Sequence, residues 1–363
     1  MREYRVRGGF LYSTGDSRYL SGYKQPWYNY TVNWSTADLS IPDGKDAKVK
    51  EARLYVYYTW DMVQGMPDNV SLRFNNITVE RDAFYTDRKG YDGYDYPCGM
   101  LAYNVTGEFN NSGNTAVLEN QNPVAGNPSI RGMLLVVIYE SESGEAPECK
   151  IFVNEGFDLL YGGSDKCTTP EEATAYAPFT RAIEDAGNRS ARLITVAPGA
   201  GYPDPGEGEL IFNGHKWSDV WNVAGDSQIG INECNVTPYL NTTNVAAFQS
   251  SGDYMEASNA ILVVGGKTSA EEEYNFAIHL IAGYNMVSLP LNDTTVTKAS
   301  ELAAKIGDNC TEVVMWDSSL QQYVSYIPGV PLNDFDIAGG AGYFINVNSP
   351  ISVVFGGAAW QEE

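Results

Sequence analysis

Residues 51–60 read EARLYVYYTW. Apolar and polar side chains alternate, and β-branched and aromatic residues dominate, so the stretch is a strand with a buried face. Its opening returns about 140 residues later in SARLITV, residues 190–196. More echoes follow in the same order. Leu72-Arg-Phe-Asn75 returns as Leu210-Ile-Phe-Asn213, and Asn104-Val-Thr106 as Asn235-Val-Thr237. Asn114-Thr-Ala-Val-Leu118 returns as Asn244-Val-Ala-Ala-Phe248, and Leu135-Val-Val137 as Leu262-Val-Val264. Any single match is ordinary in a β protein. Five in order, with an offset shrinking along the chain, are what two copies of one unit leave when the second has shorter loops.

Each copy holds several strand-like runs separated by turn residues, which suits two packed sheets. The runs MLLVVIY (133–139) and AILVV (260–264) are apolar on both faces and belong in the middle of the structure, covered on each side. TVNWSTADLSI (31–41) reads as a polar edge. The expected fold class is therefore all-β: two tandem β-sandwich units from an internal duplication, plus a small C-terminal mostly-β module with one helix. The expected boundaries are 1–160 for copy 1, 161–266 for bridging short helices and copy 2, 267–274 for a linker, and 275–363 for the module. Thr169-Pro-Glu-Glu172 has a helix-start signature. In the module, Phe276–Leu280 and Met286–Leu291 read as a hairpin about Gly283-Tyr-Asn285. Ala299, Leu302, Ala303 and Ile306 lie at helical spacing, with Thr297 as cap and Gly307 as stop.

The formal charge of −23 repels nucleic acid and anionic lipid. No apolar run is long enough to span a membrane as a helix. Asn-x-Ser/Thr, the acceptor triplet for N-glycosylation, occurs eleven times, at Asn29, Asn33, Asn69, Asn76, Asn104, Asn110, Asn188, Asn235, Asn241, Asn292 and Asn309. The 28 asparagines in random order give roughly three or four, so an exported, glycosylated protein is expected, although turn-rich β proteins use Asn and Thr heavily anyway. Met1-Arg-Glu-Tyr is no secretory signal, so the expectation is a mature form with its leader replaced by a start methionine.

Five cysteines without a CxxC spacing speak against zinc. Cys149 and Cys167 flank one short segment and are the expected internal disulfide. The odd count leaves a thiol for a neighbouring molecule, with Cys310 the candidate. Five buried reduced cysteines are the plain alternative.

Catalytic signatures are missing. His215 follows a hairpin-turn Asn-Gly, and His279 alternates between apolar neighbours and faces solvent. There is no GxSxG and no HExxH. Gly265-Gly-Lys-Thr268 lacks the first glycine of a phosphate loop. Paired carboxylates for glycoside hydrolysis have no pattern to mark them. The chain is expected not to be an enzyme. The candidate ligand loop is Tyr85 to Asp95, where Asp87, Asp92 and Asp95 offer oxygens to calcium, the one cofactor considered. Arg88 and Lys89 can instead neutralise these acids in a plain solvated turn. The loop tyrosines, with Tyr23, Trp27 and Tyr28, offer a sugar-stacking or subunit-contact patch.

The ordered set ARLYVYYTW, LRFNN, YDYPCGMLAYNVT, MLLVVIYE, NEGFDLLYG and NAILVVGG resembles a domain of unknown function in exported proteins of methanogenic archaea, over about residues 1–266. The tail FAIHLIAGYNMVSLPL … GYFINV is similar to a small C-terminal module of archaeal surface proteins. The resemblance implies a cell-surface or envelope role, and some relatives are similar to sheath subunits that build a tube around the cell. It carries over no functional residue. The function expected on these grounds is a structural subunit of an archaeal envelope or sheath that joins to itself through strand edges. A secreted carbohydrate-binding or adhesive protein, with surface glycans as partners, is the alternative, and a secreted glycosidase comes third.

Overall fold

The computed structural model describes residues 1–41, 47–90, 95–141, 148–163, 167–201, 208–250, 252, 254–267, 274–289, 291–293, 295–318, 320–330, 332–338 and 341–359. For 266–267, 274–275, 292 and 357–359 the backbone alone is described. The chain divides into two compact units, 1–267 and 268–363.

The first unit is built from strands throughout. Its first half contains β1 (Arg2–Ser13), β2 (Asn29–Trp34), β3 (Ala47–Thr59), β4 (Val70–Phe74), β5 (Ile77–Val79), β6 (Arg81–Asp87), β7 (Cys98–Asn104), β8 (Asn114–Asn120) and β9 (Ser129–Ser141). The second half contains β10 (Glu148–Asn154), β11 (Asp158–Tyr161), β12 (Thr174–Phe179), β13 (Arg189–Pro198), β14 (Glu209–Phe212), β15 (His215–Ser218), β16 (Asn222–Val223), β17 (Ile229–Asn235), β18 (Asn244–Gln249), β19 (Tyr254–Ala257) and β20 (Ala260–Lys267).

The two halves have the same strand order. A four-stranded sheet β2-β8-β4-β5 corresponds to β12-β18-β14-β15. The remaining main strands form one ladder, β16-β17-β13-β20-β10-β1-β9-β3-β7-β6, symmetric about the β10-β1 step. The echoed residues hold equivalent registers. Arg53 faces Asn104 on one side and Val136 on the other, and Arg192 faces Asn235 and Val263. The repeated Ala-Arg-Leu is therefore the same point on the same central strand, and the duplication is a structural fact.

The ten-stranded ladder folds back on itself. Residues 2–7 of β1 pair with β10, and residues 8–13 pair with β9. Gly8 stands at the changeover, where a Cβ would lie 2.2 Å from the Tyr139 carbonyl oxygen. Strands β9 and β17 are five positions apart in the ladder, roughly 24 Å if it were flat. Yet a Cβ at Gly132 of β9 would lie 2.7 Å from Cδ1 of Ile229 on β17. Tyr55, Tyr57, Leu134 and Val136 of the first half share one core with Ile194, Val196, Ile261 and Val263 of the second. The unit is thus four layers deep, each half a sandwich and the two packed back to back. Central strands β9 and β20 are apolar on both faces because each face meets a sheet.

Two sequence expectations for the first unit change. β10 and β11 begin before residue 161 yet pair with β20 and β19 of the second half, so the halves meet earlier than the 160/161 boundary. The Thr169 signature forms a single turn rather than a helix. Thr169 N–H donates to Glu172 Oε2, and Glu172 N–H donates back to Thr169 Oγ1. The chain then enters β12, because no apolar helical stripe follows to be buried.

The second unit contains β21 (Tyr274–Leu280), β22 (Gly283–Ser288), β23 (Leu291–Asn292), α1 (Ala299–Ile306), β24 (Cys310–Asp317), β25 (Gln322–Tyr326), β26 (Gly342–Val347) and β27 (Ile351–Ala359). The expected hairpin about 283–285 is not made. β21 pairs with β27 and β22 with β26, in different sheets. The Asn285 side chain accepts from Ile281 N–H and donates to Ile281 C=O, fixing the corner between them. The helix forms, buries Ala299, Leu302, Ala303 and Ile306, and stops at Gly307 with φ 86°, but its N-cap is Lys298 rather than Thr297, which instead donates to Glu301 through its N–H and hydroxyl. Residues 268–273 of the expected linker lie outside the described residues.

Candidate functional site

The echoed polar residues are the pegs of each sandwich. Asn75 and Asn213 end matching strands at φ 49° and 50°, the left-handed region that asparagine tolerates better than most residues. Asn75 Nδ2 donates to Glu108 C=O and to Asn114 Oδ1, and its Oδ1 accepts from Thr115 N–H. Asn213 does the same with Tyr239 C=O, Asn244 Oδ1 and Val245 N–H. The Thr of each repeated Asn-Val-Thr ties the turn to the central strand: Thr106 Oγ1 accepts from Ala52 N–H at 2.9 Å, and Thr237 Oγ1 from Ala191 N–H at 2.8 Å.

Those two triplets are also glycan acceptors, so Asn104 and Asn235 have a structural reason to recur. In both, as in Asn110, Oδ1 accepts the N–H two residues on, an Asx turn. The side chains of Asn29, Asn33, Asn76, Asn104, Asn110, Asn188, Asn235 and Asn241 are exposed, and Asn69 and Asn309 are half-buried. The Asn33 amide is engaged by Asp16 and Thr115. The Asn292 side chain lies outside the described residues.

The calcium expectation meets a competing geometry. Asp92 lies outside the described residues. Asp95 is held by Arg88 through paired 2.8 Å bonds and by Gly90 N–H, and these pull its pKa below the usual carboxylate range. Asp87 accepts from Leu159 N–H at 2.8 Å, fastening β6 to β11. Arg88 thus takes the place assigned to a cation. Among the described residues no group of three or more His, Cys, Asp or Glu is set to hold a metal ion. Of the expected aromatic patch, Trp27 is buried and donates to Pro128 C=O, Tyr85 is half-buried and donates to Glu155, Tyr23 and Tyr28 are exposed, and Tyr91 and Tyr94 lie outside the described residues.

The cysteine expectations are corrected. All five are free thiols. Cys149 is buried in the core between the halves, whereas Cys167 is exposed in the turn after β11, so the two do not pair. Cys310 is buried and its pKa is raised by that burial, which removes it from contact with another molecule. Burial likewise pushes Cys149 and Cys234 up to about 11.

Sequence reasoning missed two buried ionic clusters joining the halves. Arg131 of β9 donates to Gln228 Oε1 at 2.7 Å and to Glu256 Oε1 of β19 at 3.0 Å. Its Nε lies 3.0 Å from Glu256 Oε2 but outside hydrogen-bonding angles. Glu256 is fully buried and also accepts from Tyr254 at 2.6 Å. Burial alone favours a neutral Arg131, but Glu256 outweighs it and holds the guanidinium charged. In the second cluster Arg53, 2% exposed, bonds Glu155, Asp82 and Glu51, and Tyr55 and Tyr85 donate to Glu155. Tyr57 reaches across to Asn259 Oδ1 at 2.6 Å. Arg53 stood inside the quoted strand, but nothing in the sequence pairs it with a residue 102 positions away. Every charge here is met by a protein partner, so these clusters orient the halves rather than present reactive groups.

The first unit also has sheet edges. β2, β5 and β6 bound the first half, and β12, β15 and β16 the second. β12 carries Pro178 and β15 carries Lys216, two residues that discourage pairing. β6 has a bulge and three charged residues. β2, NYTVNW, has six residues with no charge, proline or bulge.

Fold and site together define a duplicated, four-layer β-sandwich protein followed in the chain by a smaller, mostly-β unit with one helix. The chain belongs to the family described as a protein of unknown function (DUF3344), whose model matches residues 1–265. No curated protein matches the chain. Among solved structures it is similar to the major capsid protein P2 from bacteriophage PM2, at 9% identity and a TM-score of 0.19 over 72% of this chain and 99% of that one. The archaeal-virus protein described under a triple jelly roll fold and turret assembly has 9% identity and a TM-score of 0.19 over 97% of this chain and 89% of that one. Likenesses this low carry no argument about fold or function.

Proposed function

We propose that the protein is a structural subunit of a cell envelope or sheath that joins to copies of itself by adding sheet to sheet. The observation that carries the reading is the edge of β2, whose own residues carry no charge and which Asp16 caps only at Asn33, by accepting its N–H and donating to its C=O. An edge strand offers unpaired N–H and C=O groups to another chain unless charge, proline or a bulge prevents it. Contacts of this kind between unlike edges give rings or open filaments. The buried ionic clusters support the reading, because a rigid protomer transmits edge geometry faithfully along a polymer. Exposed acceptor asparagines and strong acidity suit an exported surface, and the archaeal and sheath affinities named above belong to this proposal.

The test is electron microscopy and light scattering of the purified chain across concentration, with and without calcium. Ordered tubes, hoops or sheets are expected. A monomer of 39.8 kDa throughout overturns the reading.

A further inference from the structure

The outer face of the second unit's main sheet carries a site that no other part of the molecule explains. The sheet runs β22-β26-β24-β25. Tyr343, Ile345 and Val313 point to the core beneath α1. By the period of two, Phe344 and Asn346 of β26 and Glu312, Val314 and Trp316 of β24 occupy the opposite face. Tyr284 and Met286 of β22 and Tyr323 and Ser325 of β25 complete it. Trp316 lies directly across from Tyr323, and both Met286 and Val314 from Phe344.

A core-facing sheet hides its aromatic residues, yet here they are displayed. Tyr284 is 60% exposed, Tyr323 61%, Trp316 48% and Met286 78%. The rings are braced edge to face, Trp316–Tyr323 at 5.0 Å and Tyr323–Phe344 at 6.0 Å. Between them runs an open groove of about 350 Å³ lined by Tyr284, Glu312, Val314, Tyr323, Ser325 and Phe344.

The polar groups of the groove select the ligand. Tyr284 O–H is already committed to Glu312 Oε2. Asn346 in turn donates to the Tyr284 oxygen, and what remains is rich in acceptors: the other Glu312 oxygen and the Ser325 hydroxyl, which accepts as well as donates. Peptide carbonyls find few donors there. Anions are excluded by Glu312 and by a unit that has two Lys and no Arg against twelve Asp and Glu. A small organic ammonium is best held in a closed cage of rings, and this groove is open. The ligand that fits is uncharged, donates several O–H groups and has one flat apolar side. A pyranose meets all three conditions, because its axial C–H groups lie on an aromatic face whose π density attracts them.

We infer that this face binds a neutral oligosaccharide, with Tyr323 and Trp316 as the stacking platform and Glu312 accepting sugar hydroxyls. The inference does not rest on assembly through β2, since it concerns a different unit and a different surface.

The test is isothermal titration of the full chain with neutral hexasaccharides: α- and β-glucan, mannan and β-linked N-acetylglucosamine. At least one is expected to bind with a dissociation constant between about 10 μM and 1 mM, ordinary for a shallow site worth roughly 4–7 kcal/mol. Tyr323→Ala weakens it at least tenfold and the isosteric Glu312→Gln at least threefold, with circular dichroism unchanged, while Tyr28→Ala on the first unit leaves it intact. Silence with every sugar up to about 10 mM overturns the inference. So does binding that the two variants leave untouched. Saturable binding of tetramethylammonium in place of sugar, or self-association that Tyr323→Ala abolishes, assigns the face to a cation or to a second copy and equally overturns it.

Discussion

Asn75 and Asn213 show how one side chain fixes a turn twice. Each combines a left-handed backbone with three hydrogen bonds that hold neighbouring loops. Replacing either with alanine strands buried partners and strains the backbone. We expect Asn75→Ala and Asn213→Ala each to destabilise the first unit by about 1–3 kcal/mol, and by similar amounts, as urea unfolding will measure. Asp293 is the corresponding anchor in the second unit. Burial by itself raises its pKa, but Lys305 at 2.6 Å, Thr295 and Gly356 N–H outweigh that and bring it down to about 2. A carboxylate depressed below its unfolded value near 3.9 contributes stability above that pH and loses it as the pH falls toward 2. The loss is about 2 kcal/mol, and Asp293→Asn should abolish this part of the acid dependence. Thiol titration provides a third check at this scale. One thiol, Cys167, reacts rapidly in the native protein and five react after denaturation; Cys167→Ser removes the fast phase.

Among the elements, the edge strands differ in how they are guarded. β2 alternates exposed Asn29, Thr31 and Asn33 with buried Tyr30, Val32 and Trp34, a regular strand with one wet face. Its buried face fixes register within the sandwich, and Asp16 caps its outer edge at Asn33, short of Thr31. A lysine at Thr31 places a solvated charge beside that edge without touching the core. Thr31→Lys should leave the monomer's unfolding temperature nearly unchanged and suppress polymers seen by light scattering. Polymerisation unaffected by this substitution points to another edge. α1 was readable in advance because both its apolar spacing and its Gly307 stop are local. β21 and β22 were misread as partners because pairing is not local: adjacent strands with a glycine between them look like a hairpin whether or not the corner sends them to different sheets.

At the scale of the molecule, the two halves of residues 1–267 share a core and two buried ionic clusters, whereas 268–363 has a core of its own. Calorimetry should therefore resolve two transitions. Asn75→Ala and Asn213→Ala shift the same one, and Asp293→Asn the other; three separable transitions would show that the sandwiches unfold independently. The sequence by itself determined the all-β class, the duplication and the central placement of MLLVVIY and AILVV, because alternation, turn residues and ordered echoes are written in short segments. It also marked Arg53 and Asn104 as repeated without saying why. Only the tertiary structure decided that the sandwiches stand back to back, that Arg131 meets Glu256, that the cysteines stay apart, and that Tyr284, Trp316 and Tyr323 share one exposed face. Each of these depends on residues distant in the chain through burial and strand order, and none of them is encoded at any one place along it.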